Sequence, residues 1–275
     1  MKPGALVDVG EQVRLTESPI HHRGSHLEPW VQGQTSVAAE RGALNFAIQE
    51  FVVSSASDHP AQPHLPKALA QDLAGSQPGS AGKNQLRREL RQRRRSLSRQ
   101  QQQHASMGLC RQLMALPAFR NSHRIAAYIA NDGEISPQPL LELAWRLGKQ
   151  VYLPVLHPFR KGHLFFMQHL PDQPLALNRF GIPEPLSHHD SRCPAWTLDL
   201  VLTPLVGFDE AGNRMGMGGG FYDRTFAFMQ SGLAPRRPRL VGVAHECQKA
   251  ASLPQESWDI GMDLIVTDRG IYGKR

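Results

Sequence analysis

Cysteine is scarce in this 275-residue chain: Cys110, Cys193 and Cys247 stand far apart, with no Cys-x-x-Cys pair and no cluster of histidines beside them. That argues against a disulfide framework and against a structural zinc site, and it suits a reducing cytosol. Long apolar runs are missing too. None approaches the roughly 18–20 residues that cross a bilayer, and the N-terminus lacks the charged-then-apolar layout of a signal peptide. The expected address is cytoplasmic. What remains is ordinary for a soluble protein: 40% apolar and 20% charged residues, on a length that suits one large domain or two small ones.

The net charge of +7 is unevenly spread. Residues 1–82 carry 5 basic and 8 acidic side chains, a net of −3, so the remaining residues carry +10. Residues 83–99 alone supply +7, from Lys83, Arg87, Arg88, Arg91, Arg93, Arg94, Arg95 and Arg99 against Glu89. Residues 1–82 are rich in scattered Pro, Gly, Gln, Ser and His and show no sustained period of 2 or 3.6. Residues 37–53 could form a short helix or strand, and residues 75–82 read as a flexible linker. This part is expected to be a disordered extension, translated from upstream of the natural start and no working part of the protein.

From Lys83 the pattern tightens. Leu86, Leu90 and Leu97 fall near one helical face. Ser98 is a candidate N-cap for a second helix through Leu109, Leu113 and Leu116, which ends at Pro117. Strands are expected at residues 125–130, 151–156, 164–168, 198–206, 240–244 and 264–267, with helices at about 137–148 and about 222–230. Strands alternating with helices indicate an α/β protein with a mainly parallel sheet.

The segment 213–223, Asn-Arg-Met-Gly-Met-Gly-Gly-Gly-Phe-Tyr-Asp, carries the strongest chemical signal. Gly216, Gly218, Gly219 and Gly220 lie between an apolar strand and a helix, where open α/β sheets bind ligands. Glycines permit positive φ and let backbone N–H groups approach an anion, and the following helix adds its positive end. Arg214 ahead of the glycines could pair with a phosphate, and Asp223 behind them could hold Mg2+ against it. The spacing is neither that of a Walker A loop nor GxGxxG. The plain alternative is a tight glycine turn packing a helix on a sheet.

The basic segment 83–99 has three readings: nucleic-acid binding, cations for a bound nucleotide, and a solvated helix face. Most of its arginines fit the solvated face. Lys83 and Arg87, one turn apart, could clamp a phosphate. Nucleic-acid binding lacks interleaved aromatics or any RNA-binding signature. Glu134, on a loop after a strand, could accept hydrogen bonds from a heterocycle edge or simply end a turn. Phe221 and Tyr222 offer flat ring faces or are core. His245 and Cys247 are read as residues that follow a strand.

Several ordered features together resemble the 5-formyltetrahydrofolate cyclo-ligase family over residues 83–275. They are Lys83-Asn-Gln-Leu-Arg87 with the Arg93-Arg94-Arg95-Ser-Leu-Ser98 run, Asn131-Asp-Gly-Glu134-Ile, Leu153-Pro-Val, Gly181-Ile-Pro-Glu-Pro185, Gly220-Phe-Tyr-Asp223 and Trp258-Asp259. The resemblance implies conversion of 5-formyltetrahydrofolate to 5,10-methenyltetrahydrofolate with Mg-ATP, releasing ADP and phosphate. It implies ATP binding by Lys83, Asn84, Gln85, Leu86, Arg87, Arg214, Met215, Gly216, Met217, Gly218, Gly219, Gly220, Phe221 and Tyr222. Arg214 and Lys83 would be the catalytic cations, and Asp223 and Asp259 the magnesium ligands. Ile129, Glu134, Met217, Gly218, Gly219, Gly220 and Phe221 would contact the folate. Met215 stands where the family usually has leucine, and Phe221 where tyrosine is also common. The expected fold is a three-layer α/β sandwich with helices on both faces of the sheet, in a monomer that meets neither membrane nor nucleic acid. The rival is a nucleic-acid-binding protein that uses segment 83–99.

Overall fold

A computed structural model of the chain describes residues 80–186, 191–230, 238–256 and 258–273. The expectations for residues 1–79, including a helix or strand at 37–53, lie outside the described residues. Helix α1, Ser80–Arg95, includes the last three residues of the stretch read as a linker. Its last turn carries Arg93, Arg94 and Arg95, which suits the negative end of a helix. Helix α2, Arg99–Ala115, starts where the sequence places it: the Ser98 side chain accepts from the Gln101 N–H, and the Gln101 side chain accepts from the Ser98 N–H. This reciprocal capping box settles two free donors of the first turn. Pro117 cannot continue α2 and opens a short α3, Pro117–Arg120.

The strands are β1 (Arg124–Ala126), β2 (Gln150–Leu156), β3 (Leu164–Gln168), β4 (Leu175–Leu177), β5 (Pro183–Pro185), β6 (Arg192–Cys193), β7 (Leu200–Pro204), β8 (Gly207–Phe208), β9 (Arg214–Met215), β10 (Arg239–Val243), β11 (Leu264–Val266) and β12 (Ile271–Tyr272). Helix α4, Gln138–Arg146, connects β1 to β2, and α5, Phe221–Phe226, follows β9. Eight strands make one sheet in the order β12-β11-β10-β7-β1-β2-β3-β6. The run β11-β10-β7-β1-β2 is parallel, while β3, β6 and β12 each pair antiparallel with their neighbour at the margins.

Alternation along the strands sorts side chains to two faces. Ile125, Val151, Leu200, Leu202, Val241 and Val243 pack with Leu109, Leu113, Phe119 and Leu140 of α2, α3 and α4. Ala126, Tyr152, Val201 and Leu240 pack on the other face with Phe226 of α5 and Met229. The three-layer, mainly parallel α/β arrangement is the one expected.

Two differences shape the site. The strand expected at 125–130 leaves the sheet after one further hydrogen bond, from the Ala127 N–H to Tyr152 O at 3.0 Å. A turn then lifts the chain: Asp132 and Gly133 have φ of 55° and 74°, and the Glu134 N–H donates to Asn131 O at 3.0 Å. A Cβ on Gly133 would sit 3.2 Å from Arg94 O, so glycine lets α1 lie directly on this turn. Secondly, the glycine loop does not follow β7 directly. The small β8–β9 hairpin intervenes, closed by Asp209, whose carboxylate accepts from the Asn213 N–H and side-chain amide, each at 2.9 Å. The helix expected at 222–230 splits into α5 and a 3-10 turn, Ala227–Gln230.

Candidate active site

Parallel strands aim their carboxyl ends at one edge, and α1 crosses that edge. Arg94 is fully buried there. Its guanidinium donates to Asp132 O at 2.9 Å, Leu205 O at 3.2 Å and Asp132 Oδ2 at 2.9 Å. It thereby ties α1 to the chain leaving β1 and the chain leaving β7. Arg91 adds a bond to Asp132 Oδ2 at 2.8 Å, and Arg95 pairs with Oδ1. Burial alone would raise the Asp132 carboxyl, but the hydrogen bonds from Arg91, Arg95 and Arg94 outweigh it and hold it at about 2.

Beneath α1 lies a cavity of about 1150 Å³. Lys83, Arg87 and Arg91 enter from one helix face at four-residue spacing. The whole loop from Arg214 to Arg224 lines another side, and Tyr128, Ile129 and Glu134 line a third. The glycine loop is pinned by two arginines: Arg87 Nε donates to Gly216 O at 3.1 Å, and Arg224 pairs with Gly219 O while reaching Gly162 O at 3.1 Å. Gly220 has φ of 60° and begins α5, a backbone shape that an L side chain would strain.

Glu134 sits at the polar end. Burial pushes its carboxyl up, against the pull of Arg94, whose Nη2 lies 3.6 Å from Oε1, and of the Asn131 N–H at 3.1 Å from Oε2. Burial, with the nearby Glu134, also pushes the Tyr128 and Tyr222 phenols up, so both stay neutral hydroxyls. The Tyr128 hydroxyl donates to Ile135 O. At the other end, Arg214 pairs with Asp223 Oδ1, which also accepts the Ile260 N–H at 3.2 Å. Asp259 Oδ2 accepts the Glu256 N–H at 2.9 Å, and Glu256 pairs with Lys83. The cavity thus has a cationic, glycine-lined wall with two carboxylates beside it, and a further, largely buried carboxylate, Glu134, on another wall.

The sequence profile described as the 5-formyltetrahydrofolate cyclo-ligase family matches residues 79–268. The 5-formyltetrahydrofolate cyclo-ligase of Escherichia coli K12 is 44% identical over 183 residues, covering 66% of this chain and 98% of that protein. The chain belongs to the 5-formyltetrahydrofolate cyclo-ligase family. The Haemophilus influenzae cyclo-ligase is 43% identical over 186 residues, covering 67% of this chain and 97% of its own length. Among solved structures, the 5,10-methenyltetrahydrofolate synthetase of Aquifex aeolicus superposes with a TM-score of 0.58 at 30% identity, covering 70% of this chain and 92% of that one.

In this cyclo-ligase family member the structure brings most of the expected site residues to one cavity: Lys83, Arg87, Ile129, Glu134, all nine residues from Arg214 to Tyr222, Asp223 and Asp259. It does not bring Asn84, Gln85 and Leu86 there. Between Lys83 and Arg87 the helix turns away, so Asn84 accepts from Arg87 Nη1 at 2.7 Å and Gln85 bonds Glu89 at 3.0 Å. The solvated-face reading of segment 83–99 needs correcting. Arg87, Arg91, Arg94 and Arg95 bond the chain opposite, as does Arg93 through Lys249 O at 3.4 Å. The carboxyl edge presents Asp132 and backbone carbonyls outside the sheet ladder, and these arginines supply donors to them.

Sequence reasoning missed Arg91, Asp132, Glu184, Arg224 and Glu256, all of which line the cavity. Glu184 belongs to the Gly181-Ile-Pro-Glu-Pro185 motif, and its Oε2 is held by Asn178 Nδ2 at 3.1 Å and the Leu156 N–H at 3.3 Å. That motif was the available signal. His245 follows β10 and is buried away from the cavity, where burial pushes its imidazole down to about 4. Among the described residues no three His, Cys, Asp or Glu side chains gather as a metal site, and no helix is long and apolar enough to cross a membrane.

Proposed function

We propose that this chain converts 5-formyltetrahydrofolate to 5,10-methenyltetrahydrofolate at the expense of ATP. The observation that carries the reading is that one cavity is lined by the cation-flanked glycine loop, by Glu134 and by aromatic and apolar side chains. An N-formyl group is an amide with a poor leaving group. Its oxygen attacks the γ-phosphorus of ATP, ADP departs, and the carbon becomes an iminium bearing a phosphate. N10 of the same molecule attacks that carbon and loses its proton. The C–O bond then breaks, phosphate leaves with the electron pair, and the methenyl bridge remains. Such chemistry asks the protein for positioning and charge neutralisation more than for a nucleophile.

Arg214, Lys83 and Arg87 neutralise phosphate oxygens, and the backbone N–H groups of the loop cradle them. Glu134 accepts from the amide and amino groups along the pterin edge, while Ile129, Met217 and Phe221 provide apolar and aromatic contact. Phosphate binding frees Lys83 from Glu256 by offering a stronger anion. The donor set fits Mg2+: the hydrogen bonds of Asp223 fall on Oδ1 and that of Asp259 on Oδ2. Among the described residues each carboxylate keeps its other oxygen for a hard cation that takes one or two carboxylates together with phosphates. When bound, the ion would neutralise charge on the transferring phosphoryl group.

We assign the activity to residues 83–275 and none to residues 1–82, in a cytosolic monomer. The family match from residue 79 and the start of α1 at Ser80 support a boundary a few residues earlier, which keeps α1 whole. ADP release with and without 5-formyltetrahydrofolate, together with the near-ultraviolet absorbance of the methenyl product, tests the reading. Substrate-dependent release from the full chain, and from a chain shortened to begin just before Ser80, is the expected result. ADP release that ignores the folate would overturn it.

A further inference from the structure

The sheet parts where β1 leaves it. The β1–β7 pairing ends at Ala126 beside Val201, and the chain beyond β1 rises so that Tyr128 and Ile129 line the cavity. Thr203 stands two residues past Val201, at the place this departure opens. It lines the cavity too, yet it is only 2% exposed, so it lies deep in the wall and not at the rim. Alternation along β7 puts it on the same face as Val201, where Tyr222 packs. Across the ladder on β10 its partner is Gly242, which offers no side chain.

Thr203 Oγ1 is buried and has no hydrogen-bond partner among the described residues. Of the buried side-chain atoms in that state, it alone belongs to the cavity wall. Its neighbours Val201, Leu202 and Leu205 are buried and apolar. Valine has the same shape and would fill the place at no cost, whereas a buried hydroxyl without a partner is destabilising. The hydroxyl is accounted for if its partner arrives with a ligand.

The surroundings say which ligand. Tyr128, two residues past Ala126 as Thr203 is two past Val201, and Tyr222, on the Val201 face, both feel the charge of Glu134. Thr203 therefore adjoins the part of the wall that carries Glu134. A neutral hydroxyl both donates and accepts, which suits a heterocycle edge with carbonyl and N–H groups, while a triphosphate draws cations. We propose that Thr203 Oγ1 hydrogen-bonds the pterin ring of the folate, and so recognises the deepest part of the substrate together with Glu134. This deepens the cyclo-ligase reading and rests on it. The hydroxyl is satisfied only when a polar heterocycle fills the cavity, which discriminates against ligands that lack one.

Thr203→Val keeps the shape and removes only the hydroxyl. In the full chain it should raise KM for 5-formyltetrahydrofolate by ~10-fold, the loss of one buried hydrogen bond, and leave KM for ATP within about twofold. Thr203→Ser, which keeps the hydroxyl, should hold the folate KM within about threefold of the wild type. Two further measurements separate recognition from structure. Without ligand, the Tm of Thr203→Val should equal or exceed that of the wild type, since the free protein sheds an unpartnered hydroxyl. A 6-methyltetrahydropterin, which lacks the aryl ring and the glutamate, should inhibit the valine variant ~10-fold less well than the wild type. An unchanged folate KM, a lowered Tm, a serine variant as weak as the valine one, or equal inhibition of both proteins by the pterin overturns the proposal. So does a rise in KM for ATP that matches the rise for the folate. A wild type that releases no ADP in response to 5-formyltetrahydrofolate would instead defeat the cyclo-ligase reading, so the two failures are distinct.

Discussion

Arg94 and Asp132 lie 38 residues apart in sequence, yet the buried Arg94 guanidinium bonds both the Asp132 carboxylate and its backbone carbonyl, each at 2.9 Å. The pair joins α1 to the turn that carries Glu134, and so fixes two sides of the cavity at once. Removing Arg94 strips its donors from Asp132 O and Leu205 O in a buried place, while Arg91 and Arg95 still hold the Asp132 carboxylate and Gln248 still reaches Leu205 O. Arg94→Met should therefore destabilise the protein by ~2–3 kcal/mol, the effect of buried acceptors losing charged donors. Arg95→Met removes a guanidinium whose side chain is 54% exposed, and it should cost no more than ~1 kcal/mol. Urea unfolding of both variants measures the contrast, and similar losses would show that Arg94 is no more than another rim charge.

The same carboxylate gives a dependence on pH. Asp132 is held at about 2 in the fold, against an ordinary value of 3.8. Above pH 4 both folded and unfolded chains carry it ionised, and its pairing contributes in full. As pH falls from about 4 towards 2 the unfolded chain takes up the proton first, and the contribution is lost. The stability gap between wild type and Asp132→Asn should shrink by ~2 kcal/mol across that window. A gap that stays constant between pH 5 and pH 2 would contradict the pairing.

Glu134 shifts in the opposite direction, because burial outweighs Arg94 and the Asn131 N–H. Its ionised form accepts hydrogen bonds from the folate and its protonated form does so poorly. The kcat/KM for 5-formyltetrahydrofolate should therefore fall as pH drops through a value above the usual carboxylate range. Glu134→Gln should abolish that limb and raise KM for the folate by ~10–100-fold, the effect of losing a charged hydrogen bond. The KM for ATP should hardly move. Equal effects on both substrates would place Glu134 outside the folate subsite.

Local chemistry was legible in the chain and long-range chemistry was not. The glycine loop announces itself because four glycines, Arg214 and Asp223 sit within ten residues. The Ser98 capping box and the strand at Leu164–Gln168 were equally local. Asp132, by contrast, looked like one polar residue of a turn. Its three arginines come from a helix whose course across the sheet edge depends on the packing of Leu90 and the backbone contact at Gly133. The hairpin that carries Phe180 and Glu184 was invisible for another reason: its strands are three residues each, and one contains two prolines. Lys83 was read as a free cation because Glu256, its partner, lies 173 residues away.

Asp223 offers the sharpest test of how the phosphate end works. Its Oδ1 pairs with Arg214 and accepts the Ile260 N–H at 3.2 Å. Asparagine keeps the size and one acceptor oxygen but loses the charge. If Asp223 only orients Arg214, Asp223→Asn should retain much of the rate at any magnesium concentration. If it also holds Mg2+ beside the transferring phosphoryl group, kcat should fall by ~100-fold or more. The magnesium concentration that gives half-maximal rate should rise as well, with folate KM almost unchanged. Asp259→Asn should show the same pattern more mildly, since its carboxylate bonds the Glu256 N–H at 2.9 Å and no arginine among the described residues depends on it. We expect the magnesium-dependent outcome, read as ADP release across a magnesium titration. A variant with wild-type kcat and an unchanged titration would leave Asp223 as the partner of Arg214 alone and remove magnesium from this carboxylate.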